Sequence, residues 1–160
     1  MGLMTIIIGY TDGKTYAIGG DSGAFEDGGL FQLSGEPKVW KSGDALLGGS
    51  GTFRIIELAR KSGLSDPYAL RNHLMEANPG GEWSLLVVTK KAIYEIDEDF
   101  SVIKFKENYA SIGAGNSVGT GAIAVLAEQK IEPDTAVRVA LKVTVRHSNM
   151  AMPPFNVLKV

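Results

Sequence analysis

The order of strand and helix patterns constrains the fold of this chain more than any other feature of the sequence. Apolar runs rich in β-branched residues form two blocks, and each block is followed by two segments with helical periodicity. A last strand pattern, FNVLKV, occupies residues 155–160. Two strand blocks with two separate helix pairs predict an α+β fold, a four-layer αββα sandwich of two antiparallel sheets with helices on both outer faces.

The first block predicts two hairpins. Their strands are residues 4–10, 15–20, 37–41 and 45–49. Turn residues Thr11-Asp12-Gly13 separate the first two strands, and Ser42-Gly43-Asp44 separate the other two. Asp21 follows the second strand, and a glycine-rich segment at 22–36 joins the hairpins.

The helical segments come in two pairs around the second strand block. After Gly51, an apolar face precedes a C-capping Gly63, and Asp66 is an N-cap for a second short helix. The later pair is predicted at 118–129 and 133–147. Between the pairs, a four-stranded antiparallel meander is predicted at 84–90, 92–97, 101–105 and 109–113.

Composition excludes several classes of function. The net charge of −2 and the lack of a basic cluster argue against nucleic-acid or anionic-membrane partners. The chain has no cysteine, which removes disulfides, thiolate metal sites and a cysteine nucleophile, and we expect neither a metal nor a cofactor. The apolar run near the N-terminus is too short to span a membrane. We therefore expect a soluble, cytoplasmic protein whose residues 1–160 form one domain.

Three short segments hold the candidate site residues. They are Met4-Thr5 with Gly20-Asp21 on the first hairpin, Pro37-Lys38-Val39, and Leu47-Gly48-Gly49-Ser50-Gly51 at the entrance to a helix. Each segment alone is typical of an ordinary turn or of a solvated lysine. Their chemical interest lies in their order along the chain.

In this order the segments resemble the proteasome β-subunits, and most closely HslV, the bacterial proteasome-related peptidase. The resemblance covers nearly the whole chain, although the region between Gly51 and Ser84 is shorter than in HslV. The segments that match are TIIIGYTDG, Gly20-Asp21, PKVWK, LLGGSGT and IGAGNSVGTGAIAVL. The resemblance implies the N-terminal-nucleophile (Ntn) hydrolase fold and self-assembly into rings, which are often stacked.

The family chemistry assigns a role to four residues of this chain. An N-terminal threonine uses its hydroxyl as nucleophile and its free α-amine as base, so Thr5 is the candidate nucleophile for a peptide or unfolded-protein substrate. Lys38 matches the lysine that favours ionisation of this hydroxyl, and Asp21 matches the aspartate that holds the lysine. Gly51, or one of Gly48 and Gly49, matches the backbone N–H that binds the oxyanion.

Four departures from the family pattern favour a subunit without peptidase activity. A gapless alignment of the first hairpin places Met4 at the nucleophile position, and Thr5 would reach it only if the hairpin held an extra residue. While MGLM precedes Thr5, its nitrogen is an amide and cannot act as a base. Ala114 stands where the family has serine, and Val145-Arg146 replaces a Gly-Asp pair. These departures indicate a ring-forming pseudoenzyme.

Three alternatives stay open. Cleavage between Met4 and Thr5 would produce an active threonine peptidase. Asp21 and Lys38 could instead form a partly buried ion pair that only fixes geometry. The stretch from Gly113 to Gly119 has GxGxxxG spacing between a strand and a helix, which is a weak indication of nucleotide binding.

Overall fold

The computed structural model describes residues 5–25, 31–33, 35–148 and 151–160. The strands are β1 (Ile6–Thr11), β2 (Tyr16–Gly20), β3 (Gly23–Phe25), β4 (Phe31–Leu33), β5 (Val39–Ser42), β6 (Ala45–Ser50), β7 (Ser84–Val88), β8 (Ile93–Asp97), β9 (Val102–Lys104), β10 (Tyr109–Gly113) and β11 (Asn156–Lys159). The helices are α1 (Phe53–Ser62), α2 (Pro67–Ala77), α3 (Asn116–Glu128) and α4 (Pro133–His147).

Two antiparallel sheets form the centre of the molecule. One has the strand order β10-β1-β2-β11, and the other has the order β5-β6-β7-β8-β9. Helices α3 and α4 pack on the four-stranded sheet, and α1 and α2 pack on the five-stranded sheet. The predicted four-layer αββα sandwich is therefore confirmed.

Alternation along β1 explains why this strand is buried on both faces. Ile6 and Ile8 pack among residues of α3 and α4, whereas Ile7 packs with Leu46 and Leu86 of the other sheet. Successive side chains of a strand point to opposite faces, so the run of three isoleucines supplies both the helix-facing and the sheet-facing layer. All three side chains are fully buried.

The paired glycines of β6 allow close packing on both of its faces. A Cβ at Gly48 would lie 2.6 Å from Ile7 of the facing sheet, and a Cβ at Gly49 would lie 2.6 Å from Ile56 of α1. Both distances are far below van der Waals contact. The LLGG segment thus has a packing explanation that is independent of any chemistry.

The structure corrects two predictions about the strands. The predicted meander ends at β9, because β10 crosses to the other sheet and pairs with the edge of β1 from Ile6↔Gly113 to Tyr10↔Tyr109. Pairing of this edge satisfies backbone groups of a buried strand, which local sequence patterns cannot reveal. The glycine-rich segment contains the hairpin β3–β4, which was not predicted, while its residues 26–30 and 34 lie outside the described residues.

The predicted caps of the first helix pair are confirmed. Gly63 follows α1 in the left-handed conformation at φ 66°, and its N–H donates to Arg60 O. The Asp66 carboxylate accepts a 2.9 Å hydrogen bond from Ala69 N at the start of α2. Within the described ranges, no helix is long and apolar enough to cross a membrane.

Candidate functional site

Asp21 is the buried anchor of the site, one residue beyond β2. Its side chain is fully buried, and Oδ1 accepts a 3.2 Å hydrogen bond from Ile6 N. Oδ2 accepts two 3.0 Å hydrogen bonds, from Gly23 N and Met152 N. Backbone donors from three segments therefore hold the carboxylate in one orientation.

Lys38 reaches Asp21 from the other sheet, from the residue before β5. Its side chain is fully buried, and Nζ donates to Asp21 Oδ1 at 2.9 Å, to Thr5 Oγ1 at 2.8 Å and to Gly23 O at 2.5 Å. An ammonium group has three protons, so each proton has an acceptor. The prediction of a partly buried Asp21–Lys38 pair is wrong in one respect, because both side chains are fully buried.

The electrostatics of Lys38 result from two opposing effects. Desolvation by burial lowers the pKa of Lys38, while the charge of Asp21 and its hydrogen bond act to raise the same pKa. Burial is the larger effect. The site therefore holds an ammonium group that releases its proton more readily than a solvated lysine does.

Thr5 lies at the start of β1 with its hydroxyl against this ammonium group. Its side chain is fully buried, and its carbonyl oxygen accepts a 3.5 Å hydrogen bond from Gly115 N. Gly113 has a φ of 98°, and a Cβ at this position would lie 2.2 Å from Thr5 O. Only glycine fits this conformation and this contact, so Gly113 helps to determine where Thr5 sits.

The pairing of β1 with β2 is regular next to Thr5. Pairing runs without interruption from Ile7↔Gly20 to Thr11↔Tyr16, and the Thr5 hydroxyl lies beside the Lys38 ammonium group. The turn begins one residue later than predicted, because Thr11 belongs to β1. Met4, which was predicted at the nucleophile position, lies outside the described residues.

Gly51 forms the link between β6 and α1, as predicted. Its φ is 112°, and a Cβ there would lie 2.4 Å from Glu82 O, so this position also requires glycine. Its neighbour Ser50 approaches Gly113, where an added Cβ would lie 3.2 Å from Ser50 Oγ. Thr5 and Ser50 therefore both lie against Gly113, and Gly51 follows Ser50 directly in the chain.

A cavity of about 720 Å³ opens beside this junction. The ends of β6, β7, β8 and β10 line it, and its wall includes Gly51 and Gly113. Four carboxylate side chains also face it: Glu82, Glu95, Asp97 and Glu98. Burial raises the pKa of Glu95, the charge of Asp97 raises it further, and a hydrogen bond with Ser84 partly opposes both effects.

Two further departures from the family pattern, Ala114 and Arg146, lie in different environments. Ala114 is exposed and lines the cavity next to Gly113, so a methyl group stands where the resemblance would place a hydroxyl. Arg146 is exposed in the last turn of α4, where positive charge interacts favourably with the helix dipole.

The glycines of the stretch from Gly113 to Gly119, which gave a weak indication of nucleotide binding, serve close packing. Gly113 abuts Thr5, and an added Cβ at Gly115 would lie 2.8 Å from Thr144 Cγ2. At Gly119 an added Cβ would lie 2.8 Å from Ile6 Cδ1. The spacing of these glycines is therefore explained by the approach of this loop to β1 and α4.

The sequence prediction missed the backbone groups that complete the site. These groups are a backbone N–H or carbonyl of Gly23, Gly115 and Met152. Residue types do not show which backbone groups take part in a site, because nearly every residue has both groups. Gly113 did have a signal, the IGAG segment that is part of the resemblance to the proteasome family, but no role in placing Thr5 was assigned to it.

Of the comparisons with known proteins, the one with solved structures identifies the fold. Neither a protein-family model nor a curated protein sequence matches the chain. Among solved structures, HslV from Trypanosoma brucei is 17% identical, has a TM-score of 0.78 and aligns over 96% of this chain and 98% of its own. The Thiobacillus denitrificans protein BPH, solved alone and in complex with epoxomicin, is 16% identical, has a TM-score of 0.77 and aligns over 98% and 97% of the two chains. The chain therefore has an HslV-like Ntn-hydrolase fold.

Proposed function

We propose that this protein is a latent threonine peptidase, in which Thr5 is the nucleophile and becomes competent when it is the first residue of the chain. The observation that carries the proposal is the 2.8 Å contact between Thr5 Oγ1 and Lys38 Nζ. Lys38 in turn is held by Asp21 at 2.9 Å, and all three side chains are fully buried. The HslV-like fold supports the same reading.

The residues can carry out acyl transfer without a cofactor. Thr5 Oγ attacks the carbonyl carbon of a peptide bond, and its proton passes to the free α-amine of Thr5 and then to the leaving amine. The Lys38 ammonium stabilises negative charge on Oγ, while Asp21 keeps that ammonium in place. The Gly51 N–H is our candidate donor to the oxyanion. Water then hydrolyses the resulting ester and regenerates the hydroxyl.

Latency follows from the state of the Thr5 nitrogen. When residues precede Thr5, this nitrogen is an amide whose lone pair is delocalised into the carbonyl group, so it cannot accept the hydroxyl proton. A free α-amine has a pKa of about 8 and can accept it near neutral pH. Cleavage of the bond between Met4 and Thr5 would therefore activate the site without moving Lys38 or Asp21.

A ring subunit without peptidase activity is the second candidate. It is favoured by Ala114, which presents a methyl group on the cavity beside Gly113 in place of a hydroxyl that would help to hold the amine. In either case the fold is consistent with self-association. We infer a closed ring, because a repeated heterologous interface closes when its rotation permits. A cytoplasmic location, and a peptide or unfolded protein as substrate, remain predictions.

The experiment compares two forms of the chain, residues 1–160 and a form that begins at Thr5, produced by removing a fusion partner. Both are incubated with epoxomicin, an epoxyketone, and examined by intact mass spectrometry and peptide mapping. We expect the Thr5-initiated form to gain the whole mass of the inhibitor at Thr5, because the hydroxyl can add to the ketone while the amine opens the epoxide.

Two variants make the result specific. Thr5→Ala removes the hydroxyl and should abolish the adduct. Thr11→Ala removes another buried threonine hydroxyl, at the far end of β1, where it donates to Lys90 O at 2.8 Å, and it should leave the adduct intact. A folded Thr5-initiated chain that gains no adduct and hydrolyses no peptide would reject the peptidase and leave the inactive ring subunit.

A further inference from the structure

Arg60, in the last turn of α1, holds the segment of chain that leads into β5. Its Nη2 donates a hydrogen bond to Pro37 O, and its Nη1 lies 3.5 Å from Glu36 Oε2. Its Cζ lies 5.2 Å from the centroid of the Trp40 ring, within the range of a cation–π contact. Two of these partners, Glu36 and Pro37, precede Lys38 in the sequence, and the third, Trp40, follows it.

The backbone around Lys38 is held from two directions. Arg60 binds the carbonyl of the residue before it, and the Gly49 N–H of β6 donates to the Lys38 carbonyl at 3.0 Å. Trp40, whose ring contacts the Arg60 guanidinium group, is only 8% exposed, so the packing around this ring restricts its movement. The backbone from which the Lys38 side chain extends therefore depends on the position of a side chain on α1.

An arginine suits this task because its planar guanidinium group can bind a carbonyl, approach a carboxylate and stack on a ring at the same time. A lysine ammonium group could make only part of this set. The Glu36 carboxylate is 76% exposed, so its ion pair contributes little, and the contacts to Pro37 and Trp40 matter most.

We propose that Arg60 is a positioning residue that sets the Lys38 ammonium group for its contact with Thr5. The inference rests on the proposed function, in which this contact favours ionisation of the Thr5 hydroxyl. Arg60 does not contact the reacting atoms. It would act by holding the backbone of the residues that flank Lys38. Because a displacement of about 1 Å at a reacting centre can cost on the order of 100-fold in rate, a small shift of this backbone is sufficient.

A second role for Arg60 has to be separated from this one. Arg60 and Lys61 both line a pocket of about 430 Å³ on α1, together with Phe53 and Ile56. A residue that only binds substrate in this pocket would affect KM, whereas a residue that positions Lys38 affects kcat and its dependence on pH. Lys61 provides the matched control, because its Nζ pairs with Glu57 at 2.8 Å on the same helix.

The experiment uses the Thr5-initiated chain with Arg60→Met, Arg60→Lys or Lys61→Met. We expect Arg60→Met to lower kcat for a fluorogenic peptide at least about tenfold and to shift the midpoint of the pH profile. Arg60→Lys keeps the charge but loses the planar fork, so it should also lower kcat and shift the midpoint. Lys61→Met should retain the wild-type kcat and midpoint. If both Arg60 variants behave like Lys61→Met, or if their defect lies in KM alone, the inference is wrong.

A second measurement keeps the test independent of turnover. The titration of Lys38 can be followed by NMR of ¹³C-labelled lysine, and we expect both Arg60 variants, but not Lys61→Met, to change the pKa of Lys38. Should Arg60→Met fail to fold, Arg60→Lys carries both measurements. If the wild-type chain turns over no substrate, the peptidase proposal fails. If the pKa of Lys38 is unchanged in a folded Arg60 variant, the proposal that Arg60 positions Lys38 is wrong.

Discussion

Thr5 Oγ1 lies 2.8 Å from Lys38 Nζ, although the two residues precede strands of different sheets. Thr5 enters β1 of the four-stranded sheet, and Lys38 enters β5 of the five-stranded sheet. The candidate site therefore forms only when the two sheets stack, because neither sheet contains both groups. Folding and the assembly of this site are one event.

Loss of the Lys38 charge should affect both reactivity and stability. Lys38→Met leaves the fully buried Asp21 carboxylate without its partner, and we expect a loss of about 3–5 kcal/mol in the free energy of unfolding. The adduct with epoxomicin should also disappear. Urea unfolding and intact mass measure the two effects, and Lys41→Met, which removes an exposed cation three residues further on, in β5, is the control.

The partners of this pair should be energetically coupled. Asp21→Asn alone leaves the Lys38 ammonium group buried without its anion, and the double variant Asp21→Asn/Lys38→Met removes both charges. We expect the double variant to lose less free energy of unfolding than the sum of the single losses. Additive losses in a double-mutant cycle would show that the 2.9 Å contact contributes no coupling.

Gly113→Ala should damage the site through the backbone. The φ of 98° and the contact with Thr5 O leave no room for a Cβ, so we expect lower stability and slower reaction of Thr5. Gly121→Ala is the matched control, because Gly121 lies within α3 with nothing within 4 Å of an added Cβ. This control should be as stable as wild type, or more stable by up to about 1 kcal/mol. Equal melting temperatures of the two variants would contradict the assigned role of Gly113.

Glu95→Gln should stabilise the protein at neutral pH. The pKa of Glu95 is raised in the folded state from 4.5, so the folded state disfavours its ionised form. A group with a raised pKa contributes stability below its unfolded pKa and loses it as the pH rises through its folded pKa. The variant should therefore be more stable than wild type at pH 7, and this difference should shrink toward pH 4.

A matched variant makes the pH experiment specific. Glu107→Gln removes the same charge from an exposed loop position between β9 and β10. Thermal unfolding is measured for both variants from pH 4 to pH 8. A stability gain for Glu95→Gln that is no larger than the gain for Glu107→Gln would indicate a general charge effect instead of burial in the cavity.

Self-association can be measured directly. Size-exclusion chromatography with light scattering should give a particle several times the mass of one chain, because the proposed ring repeats one heterologous interface until it closes. The measurement is made on the Thr5-initiated form and on the 1–160 form, so that any effect of the residues before Thr5 is visible. A monomer at high concentration in both forms would contradict ring assembly.

Local sequence patterns predicted the four helices, the four layers and most of the strands, but not β3 and β4. The continuous run Ile6-Ile7-Ile8 is typical of a strand, and because side chains alternate along a strand, Ile6 and Ile8 face the helices while Ile7 faces the other sheet. Gly63 and Asp66 marked the helix ends, because caps depend on the conformation of one or two residues. The resemblance to the proteasome family identified Asp21, Lys38 and Thr5 as candidates.

The contact of the Thr5 hydroxyl with Lys38 and the pairing of β10 with β1 became visible only in the folded structure. Both depend on approaches between residues far apart in the chain, such as Thr5 against Gly113 and Lys38 against Asp21. A shift of one residue in the position of a turn reverses which side chains face a site, and residue types near that turn do not determine the shift. Two of the backbone donors that hold Asp21, Ile6 N and Met152 N, are far from it in sequence and reach it only in the folded chain, whereas Gly23 N lies two residues away.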